Sequence, residues 1–364
     1  MTEAQNPDPF DIDDTRPSDG VGLCLSGGGY RAMLFHLGAL RLLNEAGWLP
    51  KLTRVASVSG GSIVAGVLGL AWKELAFNEN GVATRFADMV ERPILLVGGS
   101  TIDIPAVMTG LWPGRIAERV AKAYDKALFH GRTLQDLPSD ADGPRFIFLA
   151  TDLSNATLWR LSKPYMRTWR SEPILNPTLS LGKAVASSSA FPPVLSPSLL
   201  RVDGRTVYLT DGGVYDNLGL EPVLKRCATV LVSDGGGTFG EAQRPARDWL
   251  RGTYRILQTV DVEVRRLRRR QVVGLLATQR RSGAFWAINS DRADFPAPQG
   301  SMRCPVEKTR VLARLSTRLV ALDQSTRQRL VNWGYAAADA GLRSYVDPSL
   351  GVPAQFPYPE IGVG

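Results

Sequence analysis

The sequence predicts an α/β fold. Short apolar runs at about residues 21 to 25, 53 to 58, 145 to 151, 206 to 210 and 229 to 233 alternate with stretches of helical periodicity, the order that lays helices over a sheet. Two of these runs, Phe146-Ile147-Phe148-Leu149-Ala150-Thr151-Asp152 and Thr229-Val230-Leu231-Val232-Ser233-Asp234, are largely apolar and end in a polar residue, as a central parallel strand covered on both faces would. With 364 residues, 44% of them hydrophobic, the chain can bury a large core.

The chain opens with an acidic, proline-containing stretch, Met1 to Asp19, which lacks an apolar segment and is expected to be a disordered leader, not a secretory signal. No run of about 18 apolar residues occurs, so no transmembrane helix is predicted and a cytoplasmic location is expected. Cys24, Cys227 and Cys304 fit buried thiols in a reducing compartment better than a disulfide framework. Two distant histidines and scattered cysteines do not make a metal site, and no cofactor is expected.

The first strand, Val21-Gly22-Leu23-Cys24-Leu25, runs into Ser26-Gly27-Gly28-Gly29-Tyr30-Arg31-Ala32. A helix follows, with Met33, Leu37, Leu40 and Leu43 at helical spacing and Gly47 as its C-terminal cap. Three glycines leave a run of backbone amides unobstructed, a cradle for a phosphate or an oxyanion. A phosphate fits less well, because the spacing is not G-x-G-x-x-G and no G-K-[ST] follows. As an oxyanion hole, the amides of Gly27, Gly28 and Gly29 would face a carbonyl oxygen, with Arg31 adding charge or pinning the loop; a plain glycine turn with a surface arginine is the other reading.

The second strand enters Val55-Ala56-Ser57-Val58-Ser59-Gly60-Gly61-Ser62 and continues into an apolar helix through Ile63, Val64 and Ala65. Small residues on a strand-to-helix turn let the backbone bend sharply and lift a serine hydroxyl above the sheet, so Ser59 is the candidate nucleophile. The Gly60 amide and the positive end of the helix would face any oxyanion formed by attack on an acyl carbon. Ser57 stands where the usual G-x-S-x-G elbow has glycine, and an ordinary tight βα connection is the alternative.

From about Asn78 to Asp136 the alternation is interrupted by Pro93, Pro105 and Pro113 among Ile94, Leu95, Leu96, Ile102 and Ile104, a cap, a lipid-facing insertion or an ordinary buried excursion. The fourth strand ends in Asp211-Gly212-Gly213, a carboxylate at a strand terminus. A serine nucleophile needs a base, and neither histidine is well placed: His36 lies within the first helix, and His130 is in a surface turn. Asp211 is the economical choice of base, with a turn-forming role as its plain alternative. Asp152 and Asp234 also end strands and rank below it.

The net charge of +8 is partly concentrated in Arg265, Arg266, Arg268, Arg269 and Arg270. Leu257, Val260, Val264 and Leu267 keep helical spacing beside them and are expected to pack inward while the arginines face out, as a solvated face, an anionic-lipid docking patch or a nucleic-acid surface. Beyond about Gly283 no catalytic motif occurs, and Val311 to Gly341 reads as two helical stretches.

In this order the residues resemble the patatin-like phospholipases, serine acyl hydrolases with a Ser-Asp dyad. The matching motifs are the glycine-rich loop (Gly27, Gly28, Gly29, Arg31), the elbow around Ser59 and Asp211-Gly212-Gly213, with a softer match at Ala186-Ser187-Ser188-Ser189-Ala190-Phe191-Pro192-Pro193. The resemblance implies a three-layer sandwich with a central, mostly parallel sheet flanked by helices. It implies Ser59 as nucleophile, Asp211 as base and the loop glycines as oxyanion donors. The expected organisation is the leader over 1–19, a catalytic domain over 20–283 with 78–136 as a cap or insertion, and a helical extension over 284–364 packed on it. The expected activity is hydrolysis of a phospholipid or other acyl lipid, of phospholipase A or lysophospholipase type, at a membrane periphery and without nucleic acid. Acyl transfer and a non-catalytic interaction role are the alternatives, the second disfavoured by the intact Ser59, Asp211 and glycine loop.

Overall fold

A computed structural model describes residues 18–102, 115–202, 204–238 and 248–364. The expected leader lies outside the described residues as far as residue 17, and so does 103–114, with Ile104, Pro105 and Pro113 of the expected insertion. The strands among the described residues are β1 (Ser18–Leu25), β2 (Leu52–Ser57), β3 (Arg145–Asp152), β4 (Thr157–Ser162), β5 (Tyr165–Arg167), β6 (Ile174–Leu175), β7 (Ser198–Val202), β8 (Arg205–Asp211), β9 (Cys227–Asp234) and β10 (Ser282–Ala287). The helices are α1 (Gly29–Glu45), α2 (Gly60–Ala71), α3 (Arg92–Gly98), α4 (Arg115–Tyr124), α5 (Leu181–Ser188), α6 (Gly213–Asp216), α7 (Glu221–Leu224), α8 (Trp249–Ala277), α9 (Val306–Ala313) and α10 (Gln324–Tyr345).

One sheet holds all ten strands, in the order β10-β9-β1-β2-β3-β4-β5-β6, with the β7–β8 hairpin joined to β3. The centre, β10 to β3, is parallel, and β4, β5 and β6 extend it antiparallel. Successive side chains on a strand point to opposite faces, and the core divides accordingly. Leu23, Leu25, Val55, Phe146, Phe148 and Leu231 join α1, α2 and α10 in one cluster. Cys24, Ala56, Ile147, Leu149, Val230 and Val232 join Leu220, Val223 and Val272 in another on the opposite face. A parallel sheet with apolar residues on both faces must be covered twice, which makes the fold a three-layer α/β sandwich. Cys24, Cys227 and Cys304 are buried free thiols.

Two expectations are corrected. The boundary at 283/284 falls inside β10, which pairs with β9, and Ala284, Trp286 and Ile288 share a core with Leu330, Val331 and Trp333 of α10. Helix α10 lies against α1 so closely that a Cβ at Gly334 would sit 1.8 Å from the Phe35 carbonyl oxygen. Shared sheet and shared core make 284–364 part of the domain, not an extension of it. On α8 the expected inward face is outward: Leu257, Val260 and Leu267 are exposed, whereas Val262 and Val272 are buried. In the 78–136 region, Phe86, Val90, Ile94, Val97 and Ile102 are buried in the main core, so the described part is a packed excursion. No helix of the described residues is long and apolar enough to cross a membrane.

Candidate active site

The turn after β2 has the geometry of an elbow. Ser59 has φ 52° and ψ −118°, a strained backbone for a non-glycine residue, and α2 begins at the next residue. The turn is tight enough that a Cβ at Gly60 would sit 2.2 Å from the Gly29 carbonyl oxygen, which excludes any side chain there. The Ser59 amide donates to the carbonyl and hydroxyl oxygens of Ser188, at 3.2 and 3.1 Å. Ser62 Oγ lies 3.0 Å from Ser57 Oγ and 2.8 Å from Ser188 Oγ. Ser57, in the place of the usual glycine, is thus accommodated by hydrogen bonding beneath the elbow.

Asp211 reaches Ser59 through the topology of β3. One edge of β3 is taken by β4; the other is shared by β2, which pairs Ser57 with Phe148, and by β8, which pairs Asp211 with Ala150. Since β2 is parallel and β8 antiparallel to β3, their C-terminal ends meet head to head. Asp211 Oδ1 accepts a hydrogen bond from the Gly213 amide at 2.8 Å, and the Ser59 hydroxyl lies close enough to its carboxylate to lower the carboxyl. Ser59 is 7% exposed and Asp211 2%. Burial pushes the Asp211 carboxyl up to about 7, against the lowering effect of the Gly213 amide and the Ser59 hydroxyl; Asp261 adds a further raising influence.

The glycine loop lies beside this pair. Gly28 and Gly29 have φ of 147° and 62°, a path closed to most side chains. The Gly27 amide donates to the Asn217 carbonyl at 3.1 Å, which corrects its expected role as an oxyanion donor: it ties the loop to the turn after Asp211. Among the described residues, none accepts a hydrogen bond from the amides of Gly28, Gly29 or Gly60. Arg31 is buried and pins the loop. Its guanidinium donates to the carbonyls of Gly235 and Leu315 and to Thr317 Oγ1, and burial lowers it to about 10.

The rival groups are engaged elsewhere. Asp152 accepts hydrogen bonds from Trp159 Nε1 and the Ser154 amide, and Asp234 from the Gly236 amide. His36 is fully buried between Ser233 Oγ, at 2.8 Å, and the Ser26 carbonyl, at 2.9 Å, and burial lowers it to about 4. His130 ends a helical turn with φ 49° and lines a cavity of about 780 Å³ beside α2 and α3, apart from Ser59. The arginine run also divides. Arg265 pairs with Asp261 at 3.1 Å, Arg268 and Arg269 lie over the rings of Tyr215 and Phe285, and Arg266 and Arg270 are exposed.

Sequence reasoning missed three supports. Ser188 holds the elbow amide, Asn217 holds the Gly27 amide, and the backbone at Arg318 caps α1 by accepting from the Tyr30 amide at 3.1 Å. The serine-rich segment before Phe191 and the Asp216-Asn217 pair were legible as unusual polarity beside apolar runs; Arg318, in a remote segment without a motif, was not.

The patatin-like phospholipase family matches residues 23–224. In overall structure the chain is similar to human GIVD cytosolic phospholipase A2, with 11% identity, a TM-score of 0.52, and coverage of 88% of this chain and 61% of that one. It is also similar to VipD from Legionella pneumophila, with 15% identity, a TM-score of 0.40, and coverage of 89% and 67%. The chain thus spans about two thirds or less of the length of these proteins. No curated protein matches it in sequence.

Proposed function

The chain belongs to the patatin-like phospholipase family, and from that premise we propose that it is a lipid acyl hydrolase in which Ser59 is the nucleophile and Asp211 its base. The observation that carries this reading is a strained serine on a strand-to-helix turn, with the end of β8 bringing a buried carboxyl held near 7 beside it. A carboxylate of ordinary acidity is a weak base; one near neutral pH both accepts and returns a proton efficiently.

Ser59 Oγ attacks the ester carbonyl carbon as its proton passes to Asp211. The oxyanion meets the amides of Gly28, Gly29 and Gly60 at the positive end of α2. Collapse breaks the acyl–oxygen bond, Asp211 returns the proton to the leaving alcohol, and an acyl-serine is left. Water, deprotonated by Asp211, then releases the fatty acid and restores the serine.

The test is fatty acid release from mixed phospholipid vesicles and from a short-chain ester by the wild type, Ser59→Ala and Asp211→Asn. Both variants are expected to lose at least about a thousandfold in rate with the fold retained. Equal activity in all three overturns the site; a new acylated lipid in place of free fatty acid identifies acyl transfer.

A further inference from the structure

Helix α8 passes beside the site. It packs on α6, which begins two residues after Asp211; its Asp261 influences the Asp211 carboxyl, and Arg265 Nη1 lies 3.5 Å from the Gly237 carbonyl oxygen. The outer face of the helix is unlike an ordinary water-facing one. At 100° per residue, Trp249, Ile256, Val260 and Leu267 fall within about 20° of a single line. They are 81%, 64%, 55% and 58% exposed, with Leu257 beside them at 50%. Solvent-facing helix positions are normally polar, and a contiguous apolar stripe marks a contact surface.

The helix also carries seven arginines against two acidic residues, Asp261 and Glu263. Arg266 and Arg270 are exposed along one flank of the stripe, where Glu263 pairs with Arg266 at 2.5 Å, and Arg251 is exposed near the helix start. An apolar stripe edged by arginines matches the boundary between lipid headgroups and acyl chains. A second copy of the chain fits less well, because a symmetric contact would bring like-charged flanks together.

We propose that the outer face of α8 is an interfacial docking surface that seats the chain on an anionic phospholipid bilayer. Trp249, Ile256, Val260 and Leu267 enter the headgroup boundary, and Arg266 and Arg270 meet lipid phosphates. This deepens the lipid-hydrolase reading and rests on it, since docking at α8 sets the neighbouring Ser59–Asp211 pair at the lipid surface.

The test is co-sedimentation of the full chain, as Ser59→Ala, with vesicles of phosphatidylglycerol and phosphatidylcholine and with phosphatidylcholine alone. The expected result is salt-sensitive binding to the anionic vesicles. Ile256→Ser/Val260→Ser/Leu267→Ser and, separately, Arg266→Glu/Arg270→Glu should each weaken it at least about tenfold, with thermal unfolding checked for each; Leu267→Ser alone serves if the triple variant unfolds early. Undiminished binding by folded variants, no binding by the parent, or a parent dimer that the apolar variant splits in sedimentation velocity overturns the docking surface. Vesicle binding by the wild type without release of fatty acid from any ester overturns the hydrolase reading instead.

Discussion

Asp211 makes the sharpest prediction, because its carboxyl is held at about 7 by burial. The group acts as base only when ionised. With a transition near 7, the rate on a soluble ester should fall to about one tenth of its plateau at pH 6 and about one hundredth at pH 5. A carboxylate of ordinary acidity would leave the rate nearly flat over that range. Stability carries the same signature. The folded state takes up a proton between about pH 4 and 7 that the unfolded chain does not, so Asp211 stabilises the fold at low pH and this contribution is lost as pH rises through that window. Its size is at most on the order of 4 kcal/mol. His36 acts in the opposite sense: held at about 4 by burial, it favours the fold above about 6.5 and loses that contribution as pH falls. The wild-type stability curve alone therefore mixes two opposing slopes, and the informative quantity is the difference from Asp211→Asn, which keeps an oxygen for the Gly213 amide but cannot ionise. Urea unfolding should show the variant gaining on the wild type from pH 4 to pH 8, while its esterase rate drops at least about a thousandfold. A flat rate between pH 5 and 8, or a stability difference independent of pH, would refute the reasoning.

Two further predictions follow from the loop. Gly60→Ala puts a methyl group 2.2 Å from the Gly29 carbonyl oxygen, which must displace the glycine loop from the elbow. Ester turnover should fall at least about a hundredfold, the scale of losing an oxyanion donor, and a variant with near wild-type turnover would show that the loop is not the donor. Arg31→Met removes the cationic donor from two carbonyls and a hydroxyl in the interior. The unfolding free energy should drop by about 2–4 kcal/mol, and an unchanged urea midpoint would dismiss the pinning role.

Local chemistry was legible in the residue order. The glycine loop and the elbow at Ser59 each rest on small residues between a strand and a helix, and that constraint operates within a few residues of sequence, so it leaves a readable trace. Four of the five apolar runs, in β1, β2, β3 and β9, are strands for a comparable reason: they lie in the parallel centre of a doubly covered sheet, where most positions must be apolar, whereas the run in β8 is half-exposed. The short strands β5 and β6 sit at the margin and carry no such pattern.

What lay beyond the sequence depends on which elements meet. Residue order makes Asp211 a carboxylate at a strand end, like Asp152 and Asp234. Only the antiparallel approach of β8 along the edge of β3 already used by β2 sets it against Ser59. The same holds for the Gly27 amide, taken by Asn217, and for α8, whose periodicity marks an apolar stripe without saying on which side the protein lies. Periodicity and turn chemistry are properties of neighbours along the chain, whereas pairing partners, buried charge and the outward side of a helix are set by long-range packing, which the finished sheet alone decides.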